Sequence, residues 1–270
     1  MSTQKKGKRV VQKRPFILLT GDDSVRAEGL IIVKRIVEKF ADFAIVATKE
    51  QQSAVGSKIT FPGGSWGTEI VDGVEATWVD GTPSDAVYFA FDYLQRKPDL
   101  VLSGMNIGAN MGNIIHRSGT VSALVTAAQS RQTPGVAFSL FAEHADWFKN
   151  HDGSFDEKHL IYPGNLIEKI TKMALEHTFA PETFWNVNFP DKQTDKIVVA
   201  PLGTCKYWHN HQHIDYQKRT FVYADGHETV QSGPTDVEQL IAGHCTITPC
   251  HVEYTDHAKL QELAEISNLS

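Results

Sequence analysis

Two carboxylates, Asp22 and Asp23, stand side by side directly after the apolar run Phe16-Ile-Leu-Leu-Thr20. Adjacent carboxylates at the end of a buried segment repel each other and call for a counter-charge. A hard divalent cation supplies one, and oxygen donors with few imidazoles suit Mg²⁺ or Mn²⁺ over Zn²⁺. The other reading is that Asp22 and Asp23 cap the following helix and face only water. Further oxygen donors follow other apolar runs: Gln51, Gln52 and Ser53, then Asp80 and Thr82, then Ser103, Asn106 and Asn110. The last group lies in Gly104-Met-Asn-Ile-Gly108-Ala-Asn-Met-Gly112, which is neither a P-loop nor a dinucleotide fingerprint. Its glycines let backbone N–H groups approach a ligand closely, or they form an ordinary loop. Ser118-Gly119-Thr120 stands just before an Ala-rich helical segment. Hydroxyls, free N–H groups and a positive helix end together make a phosphate site, and the same residues can cap the helix.

These donors need elements to bring them together. Apolar residues at helical spacing from Glu28 to Phe40, between the strand-like runs 16–20 and 43–47, form a βαβ unit with a parallel sheet and a right-handed crossover. The alternation continues with a strand at 76–79 and a helix entered through Thr82-Pro83-Ser84-Asp85, where Thr82 caps and Pro83 takes the first helical position. Strands at 100–102, 135–138 and 184–189 follow, with helices at 121–130 and 160–177. Residues 15–190 therefore read as a doubly wound α/β domain, whose ligands bind beyond the C-terminal ends of the strands. Residues 191–270 form a C-terminal extension: a strand at 197–200, a long polar and aromatic β-hairpin arm over about 205–232, a helix at 235–242, a strand at 245–248 and a terminal helix at 257–266. A long hairpin is marginal alone and wants a partner surface.

Composition narrows the function. The chain has 270 residues and a net charge of −6. Residues 1–14 form a basic tail, expected to be disordered; without it, 20 basic face 32 acidic side chains. Such a body repels phosphate polymers, so no binding to nucleic-acid duplexes is expected, and small anions must be held by local devices. No apolar run reaches the roughly 20 residues of a membrane helix, and the N-terminus is not a signal peptide. Three cysteines, Cys205, Cys245 and Cys250, fit reduced thiols and a cytoplasmic location. His209, His211 and His213 alternate on one face of the hairpin without a carboxylate or cysteine at metal-site spacing. There is no G-x-S-x-G elbow to anchor a serine hydrolase.

Five ordered blocks resemble the signature of the SurE (survival protein E) family of metal-dependent nucleotidases and acid phosphatases: Ile17-Leu-Leu-Thr-Gly-Asp-Asp-Ser24, Gln52-Ser53-Ala-Val-Gly56, Gly81-Thr82-Pro83-Ser-Asp85, Pro98 to Asn110 and Ser118-Gly119-Thr120-Val121. Asn186-Val-Asn-Phe-Pro190 and Thr235-Asp236 also look like the family's later blocks. The resemblance implies a Rossmann-like, mostly parallel sheet, with the extension and hairpin arm used in homodimers or homotetramers. It implies one divalent cation (Mg²⁺ or Mn²⁺) per subunit, held by Asp22, Asp23, Ser53 and Asn106. It also implies hydrolysis of 5′- and 3′-nucleoside monophosphates. On that basis Asp22 and Asp23 are expected to be catalytic, and Asn110, Ser118, Gly119 and Thr120 to bind the phosphoryl group. The chain departs from the family pattern at Gly21 (usually Asn), Ser24 (usually Gly) and Ala54 (usually Gly). Two rivals remain: a nucleotide-binding regulatory module with little turnover, and a haloacid-dehalogenase-like phosphatase, which usually needs Asp-x-Asp where this chain has Asp-Asp.

Overall fold

The computed structural model describes residues 14–141, 157–207, 210–224, 227–230 and 233–267. Residues 1–13, most of the expected basic tail, lie outside them. Arg14 does not: its guanidinium donates to the carbonyls of Glu38 and Ala41 at 2.9 and 2.8 Å.

The chain opens β1 (Phe16–Thr20), α1 (Glu28–Val37), β2 (Asp42–Thr48), β3 (Trp66–Val71), β4 (Val74–Val79), α2 (Pro83–Tyr93) and β5 (Leu100–Ile107). A 3-10 turn at Gly112–Arg117 leads to α3 (Gly119–Arg131) and β6 (Gly135–Phe141). Next come α4 (Lys158–Ile161), α5 (Gly164–Glu176), β7 (Thr183–Pro190) and β8 (Ile197–Val199). The chain closes with β9 (Thr204–Tyr207), β10 (Asn210–Asp215), β11 (Thr220–Ala224), β12 (His227–Val230), α6 (Asp236–Ile241), β13 (Cys245–His251) and α7 (His257–Ser267).

Nine strands form one sheet in the order β3-β4-β2-β1-β5-β6-β7-β13-β8. The pairs from β4 to β7 are parallel, while β3 and β13 run antiparallel to β4 and β7. This is the expected mostly parallel α/β fold. The sheet does not stop at Pro190, because β13 and β8 from the C-terminal segment extend it.

The central strands are mostly apolar on both faces because both faces are covered. Ile17 and Leu19 of β1 join the α1 and α5 side, packing with Ile32, Ile36 and Ile167. Leu18, between them, faces the other way and joins Val87, Ala90, Leu124 and Ala127 of α2 and α3. Thr82 caps α2 as expected, and Asp85 completes a capping box, with the Asp85 N–H donating to the Thr82 hydroxyl at 3.2 Å and the Thr82 N–H to the Asp85 carboxylate at 2.8 Å.

The edge strand β3 was not expected. Its residues alternate between exposed and sheltered, so it shows no apolar run. Its signal lay in the next two residues: Asp72 and Gly73 have φ of +47° and +76°, a two-residue turn of left-handed conformation that closes a β3–β4 hairpin. In the expected arm, β9 pairs antiparallel with β12 and β10 with β11. Positions 208–209, 225–226 and 231–232 lie outside the described residues, and His209 with them. No described helix is long and apolar enough to cross a membrane.

Candidate active site

The sheet order reverses between β1 and β5. From β1 the chain builds outward through β2 and β4, then returns to build β5, β6 and β7 on the other side. The C-terminal ends of β1 and β5 thus flank the crevice where α/β sheets bind ligands. Thr20 and Ser103 are neighbours in register, so Asp22 and Asp23 leave one strand beside the glycine-rich stretch leaving the other.

Asp22 is 4% exposed. Its Oδ1 accepts the Thr120 hydroxyl at 2.6 Å, and the Thr120 backbone also donates to it. Burial pushes its carboxyl above the ordinary range, against the pull of those donors. Asp23 is pushed up to about 7, first by burial and then by the Asp22 charge, with a backbone hydrogen bond from Ile107 opposing. That bond ties Asp23 to the residue after Asn106.

Asn106 is aimed by a break in β5. The pairing of β5 with β6 shifts register between Ser103 and Asn106. Gly104 lies there at φ +102°, and a Cβ on it would meet the Phe138 carbonyl oxygen at 2.3 Å, so only glycine fits. The Asn106 amide nitrogen then donates to the carbonyls of Ile107 and Gly108 at 3.1 and 2.8 Å, which leaves Oδ1 as its ligating atom. Ser53 arrives by a different tie: the Gln52 N–H donates to the Asp22 carbonyl at 2.7 Å, holding the 51–53 loop at the end of β1. Ser53 is exposed, and its hydroxyl accepts from the Gln51 side chain at 2.6 Å.

At the α3 N-terminus, Ser118 is the cap, accepting from the Val121 N–H at 3.1 Å. Gly119 is pressed against the first carboxylate, since a Cβ there would lie 2.8 Å from Asp22 Oδ2. The Thr120 hydroxyl points back to Asp22. Among the described residues, the donors this end leaves for an anion are the Ser118 hydroxyl and the Gly119 N–H.

Asn110 is buried. Its amide nitrogen donates to the Ser139 hydroxyl at 2.8 Å. Its backbone is held by Asn186 and Asn188 of β7, whose sequence block alone assigns them no role. The signal was there: two polar residues at alternate positions of an apolar strand place both amides on one buried face.

The donor set fits a hard cation. Among the described residues neither Asp22 nor Asp23 has an ion-pair partner, and both carboxyls are pushed upward, as buried anions are without a counter-ion. The other candidate ligands, Ser53 Oγ and Asn106 Oδ1, are neutral oxygens. No group of three or more His, Cys, Asp or Glu that could hold a metal occurs among the described residues. The cysteines are free and buried, with Cys245 and Cys250 pushed up to about 12 by burial, which leaves them as protonated thiols. A cavity of about 340 Å³ lined by Ser57, His116, Phe184, Cys250 and Tyr254 among others runs along α3 and includes neither aspartate. The candidate site rests on strand-end geometry and side-chain chemistry, not on cavity size.

Comparison with known proteins gives the family and the fold. The family model for survival protein SurE matches residues 17–212. A 5′-nucleotidase SurE of Brevibacillus brevis is 33% identical over 263 residues, spanning 92% of this chain and 94% of the relative. One from Protochlamydia amoebophila is also 33% identical over 263 residues, spanning 93% and 95%. The crystal structure of the SurE protein from Aquifex aeolicus superposes with a TM-score of 0.72 at 25% identity, over 94% of this chain and 100% of that one.

Proposed function

Since the chain belongs to the survival protein SurE family, we propose that it is a divalent-metal-dependent 5′-nucleotidase that hydrolyses nucleoside 5′- and 3′-monophosphates to nucleoside and phosphate. The observation that carries the site assignment is the convergence of Asp22, Asp23 and Asn106 at the β1–β5 switch point, beside the N-terminus of α3.

Asp22, Asp23, Ser53 Oγ and Asn106 Oδ1 would hold one Mg²⁺ or Mn²⁺ per subunit. When bound, the ion neutralises the carboxylate pair and withdraws charge from the phosphoryl oxygens. Asp23, the more exposed of the pair, orients the attacking water and takes its proton. The Ser118 hydroxyl, the Gly119 N–H and the Asn110 amide donate to the phosphoryl oxygens, where negative charge grows as the bond to water forms and the bond to the nucleoside oxygen breaks in line. Thr120 contributes indirectly by fixing Asp22. Exposed Ile214 and Tyr216 near the β10–β11 turn, with Leu260 and Leu263 on α7, support a homodimer or homotetramer. Protonated, buried thiols suit a reducing cytoplasm.

The test is phosphate release from AMP and from an aryl phosphate with Mn²⁺ or Mg²⁺, followed by EDTA. Release that stops on chelation supports the reading. Nucleotide binding without release favours a regulatory module instead, and a trapped phosphoaspartate would favour the aspartyl-nucleophile chemistry.

A further inference from the structure

Asn110 is the most heavily tethered residue of the glycine-rich stretch. Its N–H donates to Asn188 Oδ1 at 2.9 Å, and its carbonyl accepts from Asn188 Nδ2 at 2.8 Å and from Asn186 Nδ2 at 2.7 Å. The Asn188 side chain thus engages both backbone groups of one residue, as a neighbouring strand would. The Asn110 side chain is held separately, by the Ser139 hydroxyl at 2.8 Å. Two residues on, the Gly112 N–H donates to Asp236 Oδ2 at 2.8 Å, and Asp236 Oδ1 takes the Gly203 N–H at 2.7 Å.

Ser139, Asn186, Asn188 and Asp236 are all fully buried. Asn186 Oδ1 has no partner among the described residues, so this strand keeps an amide whose own hydrogen bonding is incomplete. Burying such groups costs stability relative to apolar side chains of the same shape. Packing alone does not explain two asparagines here, whereas fixing a loop does. An amide has two N–H donors. Ser139 takes one from Asn110, and the other has no partner among the described residues.

We propose that Asn188 and Ser139, supported by Asn186 and Asp236, are positioning residues for phosphoryl transfer: they lock the Asn110 backbone and amide so that its second N–H is presented to the transferring phosphoryl group. This rests on the nucleotidase reading above. The device grips Asn110 from β6 and β7 and Gly112 from α6, whereas the carboxylate pair leaves β1, so it acts on a phosphoryl donor and not on that pair.

Asn188→Leu and the milder Ser139→Ala separate the two roles, assayed with AMP and Mn²⁺. Each is expected to lower kcat by about tenfold or more, with KM and the Mn²⁺ dissociation constant changed less than about threefold. Inhibition by orthovanadate, which mimics the transferring phosphoryl, should weaken in parallel with kcat. A merely structural role would lower the melting temperature while leaving kcat of the folded enzyme and vanadate inhibition at wild-type values in Ser139→Ala, and that result overturns the proposal. If the wild type releases no phosphate, the nucleotidase reading fails by itself. Calorimetric binding of inorganic phosphate with Mn²⁺ then decides: about tenfold weaker binding in Ser139→Ala supports the positioning role, and equal binding, or none by the wild type, overturns it.

Discussion

The Thr120 hydroxyl donates to Asp22 Oδ1 at 2.6 Å across 98 residues of sequence. This one bond joins the end of β1 to the first turn of α3. It couples a carboxylate proposed to hold a cation to the helix end proposed to hold an anion, so changes at either should be felt at both.

Asp23→Asn should lower kcat by roughly 10³-fold, within the usual range for a lost proton acceptor, with a native circular dichroism spectrum. Without metal the variant should melt no lower than wild type, because burial and the Asp22 charge oppose ionisation of Asp23. Mn²⁺ should raise the wild-type melting temperature, as any native-state ligand does, and EDTA should reverse the rise; the variant should lose most of it. Near wild-type turnover in a folded Asp23→Asn would displace the site.

Gly119→Ala should impair the site although alanine is the better helix former. The added methyl would lie 2.8 Å from Asp22 Oδ2 and must push that carboxylate away. The expected result is at least about a tenfold loss of kcat/KM together with weaker Mn²⁺ binding. Steady-state kinetics and a metal titration check it, and unchanged values for both would show that Asp22 is not held where it ligates.

Ala54→Gly and Ser24→Gly should each stabilise the protein. Ala54 has φ +59° and Ser24 φ +85°, so the turns retain a conformation suited to glycine although both residues carry a Cβ. Relief of that strain is worth about 1–2 kcal/mol, offset by about 0.4–1 kcal/mol from the freer unfolded chain. Net gains of up to about 1.5 kcal/mol follow, read by urea unfolding. Ser24 gains less, because its hydroxyl also accepts from the Arg26 N–H at 3.1 Å.

Asp72→Asn should lower stability near neutral pH by about 1 kcal/mol. The Arg35 guanidinium, and then Lys34 at 3.0 Å, hold the Asp72 carboxyl below its ordinary range. A depressed carboxylate contributes fully above its unfolded pKa of about 4 and loses that contribution as pH falls through the lower folded value. The gap between wild type and variant should therefore be flat from about pH 5 to 8 and close below about pH 4. Asparagine tolerates the left-handed turn at this position, which isolates the charge. A gap independent of pH would show that the ion pair contributes nothing.

Expectations that depended on local pattern were met because local physics decides them. Residues 16–19 are apolar on both faces and sit between two helical layers. Thr82-Pro83-Ser84-Asp85 carries its own cap. By contrast, β3 hides behind alternating exposure, and the turn signal of Asp72-Gly73 was its clearest local trace.

By itself the sequence determined the α/β grammar, the apolar strands and the set of oxygen-bearing strand ends from which the candidate site is drawn, because periodicity, turn chemistry and side-chain type are written within a few residues. Only the tertiary structure decided which of those oxygens meet. It turned the Thr120 hydroxyl inward to Asp22, aimed Asn106 through the break at Gly104, and hung Asn110 from Asn188, 78 residues away. Those outcomes depend on strand order and on contacts between distant segments, and no local periodicity encodes either.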